Sequence, residues 1–204
     1  SELESRGRLG FKECLAQGQL LTRGLAHLHA NLLAHRDIKP SNIIYIDGMP
    51  KLADIGLVKQ FDDSVSIVGT VGYVPMEGPG KATGDIFSMG KVLYEMATGM
   101  DRAEFPALPD DFKESGEKGQ QDLNRIILKA CEKNAAHRYQ EAVSLAHDLQ
   151  HVEQGQSPQN TRERKRTGVL VALVLLALGA GLVAGYIWRP KMSEQISQDH
   201  VLKE

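Results

Sequence analysis

The 204-residue sequence predicts an α+β fold that is predominantly α-helical, followed by a single transmembrane helix. Three observations lead to this prediction. Apolar residues repeat at helical spacing in several segments, one short segment has the composition of a β-hairpin, and residues 167–188 contain no charged side chain. A segment of about 150 residues is long enough to bury one hydrophobic core.

The first predicted element is an amphipathic helix that lies upstream of His35. Its apolar residues recur at intervals typical of one helix face. They are Phe11, Leu15, Leu21, Leu25, Leu28 and Leu32.

The next predicted element is a β-hairpin. Residues 43–46 are β-branched and aromatic, Asp47 and Gly48 are a turn pair, and residues 51–53 read as the returning strand. This hairpin is expected to bring Asn42, just before the first strand, close to Asp54, just after the second.

Four polar residues around the hairpin have the chemistry that phosphoryl transfer requires. Asp37 can accept a proton from an incoming hydroxyl, and Lys39 can neutralise charge on the transferred group. Asn42 and Asp54 offer a neutral and a charged oxygen, the type of ligand that Mg²⁺ prefers. A surface loop with a solvated ion pair is the alternative for these residues taken alone.

The order of the longer motifs resembles the C-terminal lobe of a protein kinase domain. Lys39 and Thr70 together resemble the serine/threonine branch of protein kinases. The sequence around the motifs is similar to that of bacterial membrane-anchored serine/threonine kinases. The resemblance implies ATP and Mg²⁺ as cofactors and protein serine or threonine hydroxyls as substrates. It implies three catalytic residues, which are Asp37, Lys39 and Thr70. The implied cofactor contacts are Lys39, Asn42 and Asp54. The matching motifs are His35-Arg36-Asp37-Ile38-Lys39-Pro40-Ser41-Asn42, Asp54-Ile55-Gly56, Gly69-Thr70-Val71-Gly72-Tyr73, Glu77, Asp85-Ile86-Phe87-Ser88-Met89-Gly90 and Arg138.

The resemblance also implies structural roles. Ile55 replaces the usual phenylalanine and is expected to pack behind the site. Glu77 is expected to form a buried ion pair with Arg138. Removal of either partner would leave an uncompensated charge, at a cost of about 3–5 kcal/mol. The alternative for Arg138 is a surface arginine at the start of a helix.

Asp85 precedes an apolar stretch that predicts a buried helix, and an aspartate at a helix start is often a cap. The resemblance implies instead that its carboxylate accepts backbone N–H groups near His35 and Arg36. Arg36 resembles the arginine that docks a phosphorylated activation segment, the stretch from Asp54 to Glu77. Ser64 and Ser66 are the candidate phosphate acceptors there, and the alternative is that these serines only keep a loop soluble.

Residues 1–154 are therefore expected to be a kinase C-terminal lobe. No glycine-rich loop, strand lysine or partner glutamate of the N-terminal lobe is recognisable upstream of His35. We expect an N-terminal lobe that was cut away, was never sequenced or lies in a separate reading frame, and a chain inactive without it. A catalytically dead membrane scaffold, similar to a pseudokinase, is the alternative function.

Two further helices are predicted after residue 120 and are expected to pack in the core. Their periodic residues are Leu123, Ile126, Ile127 and Ala130, then Ala142, Val143, Ala146, Leu149 and Val152. His147 and His151 could share a metal, but no third ligand has a suitable spacing, which favours a solvated helix face. Cys14 and Cys131 are expected to be two buried thiols.

Residues 167–188 would span roughly 33 Å as a helix, which matches a bilayer and predicts a single-pass membrane protein. The linker 155–166 carries Arg162, Arg164, Lys165 and Arg166, so its side of the membrane is expected to be cytoplasmic, with the kinase lobe. Residues 189–204 would form a short extracytoplasmic tail. A net charge of −2 gives no support for a nucleic-acid partner.

Small residues recur every four positions in the predicted spanning helix, at Ala177, Gly181 and Gly185. Such a face permits close helix–helix approach and predicts a homodimer. The alternative is that glycines are simply common in membrane helices.

Overall fold

The computed structural model describes residues 5–61, 69–114 and 118–158. All of them belong to the first of two compact units, Ser1–Pro158. Among these residues no helix is both long and apolar enough to cross a membrane. The expected spanning helix at 167–188, the tail, and the linker beyond residue 158 lie outside the described residues.

The described residues include five α-helices and four short strands. In chain order these are α1 (Phe11–Ala30), β1 (Leu33–Ala34), β2 (Ile43–Ile46), β3 (Met49–Leu52), β4 (Lys59–Gln60), α2 (Ala82–Thr98), α3 (Asp110–Glu114), α4 (Lys118–Ala130) and α5 (Ala142–Glu153). The predominance of helix agrees with the predicted α+β class.

Helix α2 lies in the core. Most of its residues are buried, and it packs against both α1 and α4. Helix α1 packs along α5, and α5 in turn contacts α4. The largest completely buried side chains include Leu21 and Leu25 of α1, Met89 and Leu93 of α2, and Ile126 of α4.

The predicted hairpin is confirmed. Strands β2 and β3 pair antiparallel, with Ile43 opposite Leu52 and Ile46 opposite Met49. Asp47 and Gly48 have φ values of 51° and 73°, which is the left-handed pair that a type I′ turn requires.

Two residues of the predicted helical patterns are exposed and do not lie in the core. Helix α1 ends at Ala30, and Leu32 lies beyond it with a φ of 58° and 65% exposure. Val143 is 57% exposed because it lies on the outer face of α5. Both predictions rested on apolar character, which does not by itself place a residue in the core. The two thiols of Cys14 and Cys131 are buried, as expected.

Candidate active site

The side chain of Asp37 lies at the centre of a hydrogen-bond network on the loop between β1 and β2. Lys39 Nζ donates to Asp37 Oδ2 over 2.8 Å, and Asn42 Nδ2 donates to the same oxygen over 3.0 Å. Thr70 Oγ1 donates to Asp37 Oδ1 over 2.9 Å and accepts from Lys39 Nζ over 2.9 Å. The four residues are thus brought together although Thr70 is 33 positions from Asp37.

This network controls the charge of Asp37. Burial alone would raise the pKa of the carboxyl group, but the hydrogen bonds from Lys39, Thr70 and Asn42 and the positive charge of Lys39 outweigh it and lower the pKa below 3.8. Asp37 is therefore a carboxylate at neutral pH. It can orient a hydroxyl group, and it is a weak base.

Asn42 and Asp54 present oxygen atoms from adjacent backbone positions. Ala53, next to Asp54, donates its N–H to the carbonyl of Asn42 over 2.8 Å. Because Asn42 turns its Nδ2 toward Asp37, its Oδ1 is the atom that a cation would take. Asp54 is exposed, has a φ of 59°, and accepts a 3.4 Å hydrogen bond from Gly56 N at Oδ1. A carboxylate and an amide oxygen fit the hard-oxygen coordination of Mg²⁺.

Asp85 holds the backbone before Asp37. Its Oδ2 accepts from His35 N and its Oδ1 from Arg36 N, both over 2.8 Å, and His29 Nε2 lies 2.9 Å from Oδ2. These backbone contacts are those that the resemblance implies. The capping alternative is wrong, because the N-cap position of α2 is Lys81 and Asp85 is the fourth helical residue. The contact with His29 is missed by the sequence patterns, which give no sign of it.

Arg36 is buried in a strained conformation. Its φ is 73°, in the region that non-glycine residues seldom adopt, and its Nε has no hydrogen-bond partner among the described residues. Neither ring nitrogen of the buried His35 has one there either. Ser64 and Ser66 lie outside the described residues, so the docking of Arg36 stays a prediction. Ile55 lies in a short 3₁₀ turn, Ile55–Leu57.

The pair between Glu77 and Arg138 is present but only half-buried. Both guanidinium NH groups of Arg138 donate to the Glu77 carboxylate. The side chain of Arg138 is 1% exposed and that of Glu77 37% exposed, so the expectation of a wholly buried pair is wrong. The surface alternative for Arg138 is also wrong. Its guanidinium additionally donates to the carbonyls of Glu132, Thr83 and Lys133.

A cavity of about 360 Å³ lies against Pro40, on the loop that carries Asp37. Its wall includes Tyr73, whose hydroxyl donates to Glu95 Oε2 over 2.5 Å, and Arg102, whose backbone N–H donates to Glu95 Oε1 over 3.1 Å. Burial and then the Glu95 carboxylate raise the pKa of Tyr73, which keeps the phenol protonated. Glu95 is missed by sequence reasoning because in the helical pattern it is simply a polar position of α2.

Comparison with known proteins gives a consistent result. Residues 3–161 match the protein kinase domain family. A probable serine/threonine-protein kinase of Clostridium perfringens is 30% identical over 173 residues, covering 74% of this chain and 25% of the relative. Serine/threonine-protein kinase PknB of Mycobacterium leprae is 32% identical over 155 residues, covering 64% of this chain and 25% of the relative. The chain thus spans about a quarter of the length of these relatives.

Proposed function

The chain belongs to the protein kinase family, and on that premise we propose that it is the catalytic C-terminal lobe of a serine/threonine kinase. The lobe would contribute to transfer of the γ-phosphoryl group of ATP to serine or threonine hydroxyls of proteins. The observation that carries this proposal is the ionised Asp37 held by Lys39, Asn42 and Thr70.

The donors around Asp37 indicate where an acceptor hydroxyl would bind. A carboxylate has about four acceptor positions, two on each oxygen. Oδ2 accepts from both Lys39 and Asn42, whereas Oδ1 accepts from Thr70. The hydroxyl of a protein substrate would therefore donate to the remaining position of Oδ1. Because the pKa of Asp37 is lowered, orientation of that hydroxyl would precede proton transfer.

ATP and Mg²⁺ are the cofactors that this family implies. Asn42 Oδ1 and the Asp54 carboxylate would hold the metal ion, which when bound neutralises phosphate charge. Lys39 would add a positive charge beside the transferred group, since its Nζ already bridges Asp37 and Thr70.

Phosphotransfer also needs residues that hold the nucleotide phosphates, and none is recognisable among residues 1–34. We therefore expect negligible phosphotransfer from the 204-residue chain alone. Joining it to a segment with a glycine-rich loop and a strand lysine should restore phosphorylation of serine or threonine.

The test compares Asp37→Asn with Asp47→Asn in that joined protein. Asp47 lies in the β2–β3 turn, away from the hydrogen bonds around Asp37, so its variant is a matched control. Loss of a positioned base should lower kcat by about 10²–10⁴ for Asp37→Asn only. Unchanged turnover in that variant would refute the mechanism and would favour a scaffold that binds partners without catalysis.

We also propose that residues 167–188 anchor the protein in a membrane with the kinase lobe in the cytoplasm. The charge-free length and the basic residues before it support this proposal. Protease added to sealed cells should remove a tag placed after Glu204 and spare one placed before Ser1. Cleavage of the tag before Ser1 instead would show the opposite orientation. Recovery of the chain in the aqueous fraction would exclude the membrane anchor.

A homodimer through Ala177, Gly181 and Gly185 is proposed on the small-residue face. Dimerisation would raise the effective concentration of one lobe for Ser64 or Ser66 of the other. Energy transfer between labelled 167–188 helices in vesicles should fall for Gly181→Ile with Gly185→Ile and persist for Leu176→Ile. An undiminished signal in the double variant would exclude this interface.

A further inference from the structure

Helix α5 carries two imidazole rings one helical turn apart, at positions 147 and 151. The ring centroids of His147 and His151 are 4.0 Å apart. One nitrogen of each ring and one carboxylate oxygen of Asp148 all lie within 4.8 Å of one another. Among the described residues this is the one group of three or more such ligands, and it shares no residue with the Asp37 site.

We propose that His147, Asp148 and His151 bind a divalent first-row transition metal ion, such as Zn²⁺. Two imidazole nitrogens and one carboxylate oxygen are ligands that Zn²⁺ accepts, and water would complete the tetrahedron. Sequence spacing points to no third ligand, because Asp148 adjoins His147 and a spacing of one residue gives no metal-binding signal. The structure places an oxygen of Asp148 within 4.8 Å of a nitrogen of each imidazole.

The present separations are compatible with binding after a small rearrangement. Metal–ligand bonds of about 2.0–2.1 Å in a tetrahedron place ligand atoms about 3.3 Å apart. His147 is exposed and His151 is half-buried, so their rings can rotate toward a bound ion. The backbone of α5 need not move, since histidines at i and i+4 lie on one helix face.

Asp148 is already fixed in position by its neighbours. It is 4% exposed, and its Oδ2 accepts from the Tyr139 hydroxyl over 2.7 Å. Burial and then the charge of Asp148 raise the pKa of Tyr139, so the hydroxyl stays protonated and donates. Outer hydrogen bonds of this kind orient metal ligands.

Lys129 of α4 provides a positive charge against the same carboxylate. Its Nζ lies 3.9 Å from Asp148 Oδ2 and 3.9 Å from the centroid of the Tyr139 ring. A metal ion would bind beside this ammonium group and be repelled by it. Lys129→Met should therefore strengthen metal binding if Asp148 is a ligand, whereas a site made of the two imidazoles alone would respond less.

The test uses the full chain, prepared without a polyhistidine tag and stripped of metal with a chelator. Titration with Zn²⁺ by calorimetry should show one saturable site, and Zn²⁺ should raise the midpoint of thermal unfolding. Loss of a hydrogen-bond partner of a metal ligand typically weakens metal binding by about 10–100-fold, and loss of a ligand itself should cost at least the lower figure. His147→Gln and His151→Gln should therefore each weaken Zn²⁺ binding by about tenfold or more and reduce that thermal shift. Asp148→Asn, which keeps an oxygen for Tyr139 to donate to but removes the negative charge, should also weaken it by about tenfold or more.

Matched controls are exposed histidines elsewhere in the chain. His27→Gln on α1 and His137→Gln, in the turn before α5, should leave the affinity unchanged. His200→Gln tests the tail, which lies outside the described residues. Equal losses in a control variant, unchanged affinity in any of the three site variants, or no saturation below about 1 mM Zn²⁺ would each overturn the proposal.

Discussion

Replacement of Asp85 by Asn tests whether one buried carboxylate holds the loop that carries Asp37. The side chain is 1% exposed, and it accepts from His35 N and Arg36 N over 2.8 Å each. Asparagine has the same shape but only one acceptor oxygen, so the substitution changes hydrogen bonding and leaves volume unchanged.

The expected loss follows from the two backbone donors. If the single oxygen of the new side-chain amide faces Arg36 N, the amide nitrogen faces the N–H of His35, which becomes a buried donor without an acceptor. An orphaned buried group costs about 1–3 kcal/mol. The remaining bond loses its charged acceptor, which adds about 1 kcal/mol. The free energy of unfolding should thus fall by about 2–4 kcal/mol.

Urea unfolding followed by circular dichroism measures this loss, and amide hydrogen exchange localises it. Exchange at His35 and Arg36 should accelerate more than exchange in α4. Asp122→Asn is the control, because Asp122 is also buried, at 2% exposure, but pairs with the exposed Arg125 and not with the loop that carries Asp37. A loss below about 0.5 kcal/mol, or unchanged exchange at His35 and Arg36, would refute the anchoring role of Asp85.

Four other substitutions give three separate tests. Thr70→Val removes a hydrogen-bond donor that lowers the pKa of Asp37. A lowered pKa stabilises the folded state at pH values above the pKa of the unfolded state, and this stabilisation is lost as the pH falls. In urea titrations, the stability difference between the parent and the variant should therefore shrink as the pH falls below about 4. In urea unfolding, Glu77→Gln should cost about 1–2 kcal/mol, since the Glu77 side chain is 37% exposed. Arg138→Met should cost about 3–5 kcal/mol, because Arg138 also donates to three backbone carbonyls. Equal losses in the two variants would contradict this difference. Gly90→Ala should lower the free energy of unfolding by about 1–3 kcal/mol in thermal unfolding. The new Cβ would lie 2.6 Å from Cys131 Sγ and 2.9 Å from Ala130 Cβ. A neutral effect would show that α2 and α4 can separate there.

Local patterns predict α1, α2, α4, α5 and the hairpin, because the apolar spacing and the turn residues that specify them are local. Helix α3 (Asp110–Glu114) is not predicted. The turn pair Asp47-Gly48 sets the register of β2 and β3, and apolar spacing sets the buried face of α2. The end of α1 is predicted less well. Leu32 continues the apolar pattern, but the chain turns at that residue to enter β1.

Long-range contacts of the site are harder to predict from residue patterns. Strands β1 and β4 pair Leu33 with Gln60, yet each strand has two residues and neither carries an alternating pattern. Glu95 and His29 likewise acquire their partners through the packing of α2. Family resemblance supplies the contacts of Asp85 and Glu77, because the order of motifs encodes contacts that periodicity does not.

The geometry around Arg36 explains why separated motifs act as one unit. Its N–H donates to Asp85 Oδ1 over 2.8 Å, and its carbonyl lies 2.9 Å from the position that a Cβ on Gly69 would occupy. Only glycine, here at a φ of 115°, permits that approach. Thr70 follows Gly69 directly, so the same close contact helps to set Thr70 Oγ1 at 2.9 Å from Asp37. The strained peptide at Arg36 is therefore held from both sides by residues distant in sequence, and Asp37 takes its position from all of them.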